Sequence, residues 1–94
     1  MAVLTDPEIQ QALASLPRWQ RAGKAIERNF EFKDFAEAMQ FVNRIAAAAE
    51  QANHHPDIDI RYNQVKLALI SHDSGGVTKR DVNMARKIDE VAGS

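Results

Sequence analysis

Three histidines occur in the chain, and all of them fall within one short stretch: His54, His55 and His72. An unperturbed imidazole titrates at about 6.5, so imidazoles grouped with carboxylates form a candidate acid-base centre at neutral pH. Two carboxylates are well placed to join them: Glu50, one helical turn before His54, and Asp81, in the predicted first turn of a later helix. The same imidazoles permit a second chemistry, a three-histidine zinc site with an open position for water. His54 and His55 would then have to converge on one ion from an extended segment, which ranks that site below metal-free proton transfer. Taken singly, Glu50 reads as a solvated helix-end residue and Asp81 as a helix cap. Cysteine is absent, which excludes disulfides, thiolate zinc ligands and cysteine nucleophiles.

The elements that must position these residues follow from periodicity. Asp6-Pro7 predicts a helix start, Ile9, Leu13 and Leu16 recur at helical spacing, and Pro17 ends the run, giving a helix from about Pro7 to Leu16. Between Trp19 and Phe32, Ile26, Arg28, Phe30 and Phe32 alternate with polar residues after an Ala22-Gly23-Lys24 turn. This is a hairpin, with Arg28 an imperfection on its apolar face. Asp34 followed by Glu37 resembles a capping box, and Phe35, Met39, Val42, Ile45 and Ala49 mark a long helix, about Phe35 to Ala52. A second hairpin follows, with Ile58, Ile60 and Tyr62 on one strand and Val65, Leu67 and Leu69 on the next. A turn centred on Asn63-Gln64 pairs Tyr62 with Val65, Ile60 with Leu67 and Ile58 with Leu69, and carried further it sets His55 opposite His72. Thr78 and Asp81 cap a last helix with Met84, Ile88 and Val91 in line, after a Ser74-Gly75-Gly76 loop. The order α-β-β-α-β-β-α implies an α+β fold, a four-stranded antiparallel sheet with three helices on one face.

The chain is 94 residues long, enough for one domain with one modest core. Twelve Lys and Arg against thirteen Asp and Glu leave a formal charge of −1, which argues against a nucleic-acid binder. The first fifteen residues show no signal-peptide pattern and no later run could span a membrane, so the expected location is cytoplasmic.

Glu50, His54-His55-Pro56, Tyr62, His72 and Asp81, at these spacings, resemble the signature of pterin-4a-carbinolamine dehydratases. Phe32-Lys33-Asp34-Phe35, Tyr62-Asn63 and the run Thr78 to Ala85 extend the similarity to nearly the whole chain. The resemblance implies dehydration of a 4a-hydroxytetrahydropterin to the quinonoid dihydropterin, a step that recycles the cofactor of aromatic amino-acid hydroxylases. It implies catalysis by His54, His55 and His72, with His54 and His72 as the acid-base pair and His55 orienting substrate. The pterin ring would be held around Asn53, His54, His55, Ile70, Ser71, His72 and Asp73, within a polar shell of Glu50, Arg80 and Asp81. No metal or other cofactor is implied, and the pterin is the substrate. A homodimer or homotetramer is expected, without a nucleic-acid or membrane partner. Two positions depart from the family pattern: Asn53, where an acidic residue often stands, and Ile58, in the place of a frequent aromatic. The alternative reading is a binding protein, a dimerisation cofactor acting as a transcriptional coactivator through the long helix, whose Ala46 to Ala49 run permits close helix approach.

Overall fold

The computed structural model describes residues 2–93. The elements run α1 (Asp6–Ala14), β1 (Gln20–Ala22), β2 (Ala25–Glu31), α2 (Phe35–Ala52), β3 (Asp57–Arg61), β4 (Gln64–Leu69) and α3 (Lys79–Ala92). The expected α+β order is the observed one, and the strands form one antiparallel sheet in the order β1-β2-β4-β3. Ile26, Val65, Leu67 and Leu69 turn inward from the two central strands. They meet Phe41, Ile45 and Ala49 of α2 and Met84, Ala85 and Ile88 of α3 in one core. Among the described residues no helix is long and apolar enough to cross a membrane.

Helix ends show why these segments stop where they do. Thr5, and not Asp6, caps α1, because its hydroxyl accepts from the Glu8 amide while Glu8 returns a bond to the Thr5 amide. That helix ends at Ala14, two residues before Leu16, which nevertheless joins the core. Asp34 caps α2 through the Glu37 amide, but the Glu37 carboxylate reaches back to the Lys33 amide, so the box is displaced by one residue. Within the alanine run, Ala48 and Ala49 are core residues while Ala46 and Ala47 face solvent.

Arg28 is an internal ion-pair partner and not a flaw in the apolar face. Its guanidinium lies 2.6 Å from the Asp89 carboxylate, which also accepts from the Trp19 indole at 2.8 Å, and it sits 4.2 Å from the Phe30 ring centroid. A buried cation is tolerated when it is paired and its partner is further hydrogen-bonded, as here.

The second hairpin closes one residue earlier than expected. Tyr62 and Asn63 form the turn, so Ile60 pairs with Val65, Ile58 with Leu67 and Arg61 with Gln64. Tyr62 takes a left-handed φ of 54° and is 67% exposed, so it is not the partner of Val65. Asn63 fixes this turn by donating its side-chain amide to the Phe32 carbonyl at 2.9 Å, while its own carbonyl accepts from the Phe32 amide at 2.8 Å. A two-residue shift in pairing keeps the side chains within the strands on their faces, so the apolar face stays as expected for Ile58, Ile60, Val65, Leu67 and Leu69 but not for Tyr62. The pairing that set His55 opposite His72 does not form, and the ladder ends at Asp57 with Ala68.

Candidate active site

The histidines gather where the end of α2, the start of β3, the loop after β4 and the start of α3 meet. Asn53 closes α2 in the left-handed region with φ of 51°, a conformation that Asn tolerates better than most side chains. The His54 amide then bonds back to the Ala49 carbonyl at 3.1 Å, and the chain swings His54 toward α3. Its Nε2 lies 2.6 Å from Asp81 Oδ1.

Asp81 is fully buried, with 0% exposure. Its second oxygen, Oδ2, accepts from the Ser71 hydroxyl at 2.8 Å and from the Thr78 amide at 2.9 Å. Ser71 and Thr78 also touch through their hydroxyls at 2.9 Å. Ser71 holds the next loop as well. Its amide donates to the Gly76 carbonyl at 3.0 Å, and its carbonyl accepts from the Ser74 and Gly75 amides at 3.0 and 2.9 Å. His72 and Asp73 project from that loop.

Outside this buried group the contacts are open to solvent. His55 meets the Glu50 carboxylate, and His72 Nε2 stands 3.9 Å from Asp57 Oδ1. Arg80 donates to Asp73 at 2.6 Å, and this bond holds the Asp73 carboxyl below the usual carboxylate range and raises the guanidinium above its own ordinary value. The Arg80 Nε is buried and has no acceptor among the described residues. A cavity of about 380 Å³ opens beside His54, between Ala48 and Ala52 of α2 and Met84 and Lys87 of α3, with Arg80 at its side.

Each imidazole therefore has its own carboxylate. His54 has Asp81, His55 has Glu50 and His72 has Asp57. The expected partnership of Glu50 with His54 is replaced by one with His55, because the left-handed cap at Asn53 turns the chain between them. Among the described residues, no three His, Asp or Glu side chains are arranged to hold a metal ion. Ile70 is half-buried directly after β4, and Asn53 is exposed at the cap. Sequence reasoning did not single out Asp57 as a partner for His72. It took Thr78 only as a cap, although a cap three residues before an acid is the signal that brings the two side chains together.

Comparison with known proteins gives a consistent picture. Residues 2–91 match the family described as Pterin 4 alpha carbinolamine dehydratase. A relative from Koribacter versatilis, provisionally named a pterin-4-alpha-carbinolamine dehydratase, is 62% identical over 88 residues, 94% of each chain. One from Thermomicrobium roseum, named in the same provisional way, is 53% identical over 98% of this chain and 99% of its own. The crystal structure of a transcriptional coactivator/pterin dehydratase from Brucella melitensis superposes with a TM-score of 0.91 at 42% identity, covering 97% of this chain and 99% of that one.

Proposed function

The chain belongs to the pterin 4 alpha carbinolamine dehydratase family, and from that premise we propose that it dehydrates a 4a-hydroxytetrahydropterin by histidine acid-base catalysis. The C4a–O bond breaks as an acid protonates the departing hydroxyl, and a base takes the N5 proton while the new C4a=N5 bond forms. The products are water and the quinonoid dihydropterin. Proton transfer of this kind contributes about 10² to 10⁴-fold. The observation that carries the reading is His54 fixed on a buried carboxylate, with its neighbour loop presenting His72. His54 and His72 form the acid-base pair, and His55, steadied by Glu50, orients the ring. Asn53, Ile70 and Asp73 border the substrate, with Ser71 buried beneath them, and Arg80 holds Asp73 in place.

The elimination breaks the C4a–O bond and forms C4a=N5 with no net oxidation or reduction. It needs only proton delivery and removal, so the reaction proceeds without a metal or redox cofactor. The enzyme acts in the cytoplasm after an aromatic amino-acid hydroxylase. It works as a homo-oligomer, for which Ile58 and Ile60, 38% and 37% exposed on the edge strand β3, offer apolar surface. Light scattering at micromolar concentration tests that point, and a species of only 10.5 kDa contradicts it. The reaction is tested with freshly generated 4a-hydroxytetrahydropterin and protein dialysed against a chelator. Acceleration over the spontaneous rate is the expected result. Activity lost on chelation and restored by zinc would place a three-histidine metal site in its stead, and a folded protein without any acceleration would leave only a binding role.

A further inference from the structure

The buried contacts behind His54 form a chain of hydrogen bonds whose direction can be followed from one end to the other. The Arg80 amide donates to the Thr78 hydroxyl oxygen at 3.2 Å. An aspartate carboxylate offers only acceptors, so the Ser71 hydroxyl, 2.8 Å from Asp81 Oδ2, spends its single hydrogen there. The Thr78 hydroxyl, 2.9 Å from the Ser71 oxygen, must then be the donor in that contact. With Oδ2 occupied by Ser71 and by the Thr78 amide at 2.9 Å, Oδ1 is left to face His54 Nε2 at 2.6 Å, and there the imidazole has to supply the hydrogen. From this polarity we infer that Ser71 and Thr78 are positioning residues that act through Asp81 to hold neutral His54 as its Nε2–H tautomer, leaving Nδ1 as the nitrogen that exchanges a proton with substrate.

Burial gives the arrangement its force. Ser71, Thr78 and Asp81 are each 1% exposed or less, so no solvent competes for their bonds, and a polar network of this kind is rigid when every member is satisfied. Ser71 has a second task, because its backbone closes the loop that presents His72. One residue thus fixes the tautomer of one histidine and the loop of another. This goes beyond the dehydratase reading in assigning Ser71 and Thr78, and it rests on that reading only where turnover is measured.

The test begins with the wild-type protein and needs no substrate. Long-range ¹H–¹⁵N correlation spectra above the imidazole titration distinguish the two neutral tautomers, with His54 assigned by its absence in His54→Gln. The expected pattern is a single Nε2–H form at His54, and an Nδ1–H form overturns the inference. Ser71→Ala should then mix the tautomers and lower kcat by about tenfold with KM within about twofold, because Ser71 acts through the imidazole. Ser71→Thr should restore both the spectrum and kcat. A Ser71→Ala protein with an unmixed spectrum and full kcat, or one impaired in KM alone, overturns the positioning role. If Ser71→Ala does not fold, the wild-type spectrum and Ser71→Thr still decide the matter. Absence of turnover in the wild type would refute the dehydratase reading and leave the tautomer measurement standing.

Discussion

Two kinds of histidine environment lie side by side in this molecule. His54 has a side chain 12% exposed on a carboxylate with no exposure, whereas the His72 and Asp57 side chains are 76% and 67% exposed and 3.9 Å apart. The first pair is part of the packed structure, since Asp81 is bound by His54, Ser71 and Thr78 at once. The second is a loose contact at the rim. A side chain locked by its neighbours can hold a reacting geometry, while one in solvent can adjust to a ligand, and a proton-transfer site has use for both. Substitutions in the buried group should therefore disturb folding and chemistry together. Substitutions at the rim should disturb chemistry alone.

The sharpest way to break this contrast is Asp81→Asn. An amide keeps the Ser71 and Thr78 bonds at its Oδ1 but turns its NH₂ toward His54 Nε2, so the imidazole must give up either its Nε2–H tautomer or the contact. Three charge-assisted bonds become neutral ones or are lost, and unfolding in urea should show a loss of roughly 2 to 3 kcal/mol. A loss below about 0.5 kcal/mol would mean that the buried group is not structural. His72→Ala comes next and should cut turnover at least about tenfold. Its urea midpoint should stay within about 0.5 kcal/mol of wild type, as befits an exposed loop residue. Unchanged turnover in the folded variant would remove His72 from the mechanism.

Glu50→Gln should have a smaller effect. Steadying of His55 is lost, so KM rises by about two- to fivefold while kcat and stability hardly change. A fall in kcat with constant KM would instead put His55 in the proton-transfer step. The smallest effect concerns Asp73, whose carboxyl is held low by its bond from Arg80. A carboxyl with a depressed folded-state value stabilises the fold above its unfolded value and loses that contribution as pH falls through the folded one. Asp73→Asn should flatten the acid limb of stability slightly and leave the neutral region untouched. An unaltered acid limb would show that the pair contributes nothing to folding.

Much of this was legible in the sequence, and the exceptions have physical causes. Asp34 and the apolar stripe from Phe35 through Ala49 delimit α2 as observed, because capping and helical periodicity are local signals. The β3–β4 register was displaced because Tyr62 adopts a left-handed φ that its bulky side chain does not advertise. What pins the turn is a contact between Asn63 and Phe32, 31 residues apart. Arg28 stood out as a charge on an apolar face, yet its partner Asp89 is 61 residues away on another element, beyond the reach of any local pattern. Within the site, the three histidines and both carboxylates were identifiable by type and spacing. Their pairing was not, since it depends on one left-handed residue at Asn53. Even the departure at that position has a local use, as Asn suits the helix cap it forms.

The proposed reaction assigns the dehydration of a pterin carbinolamine to this pair of histidines, one buried and one exposed. The most direct test is the initial rate of conversion of 4a-hydroxytetrahydropterin to the quinonoid dihydropterin, measured with wild-type protein and with the His54→Ala/His72→Ala double variant at matched folded concentration. The account predicts clear acceleration by the wild type and a rate indistinguishable from the spontaneous one for the double variant. A folded double variant that still accelerates the reaction, or a wild type that never does, would contradict it.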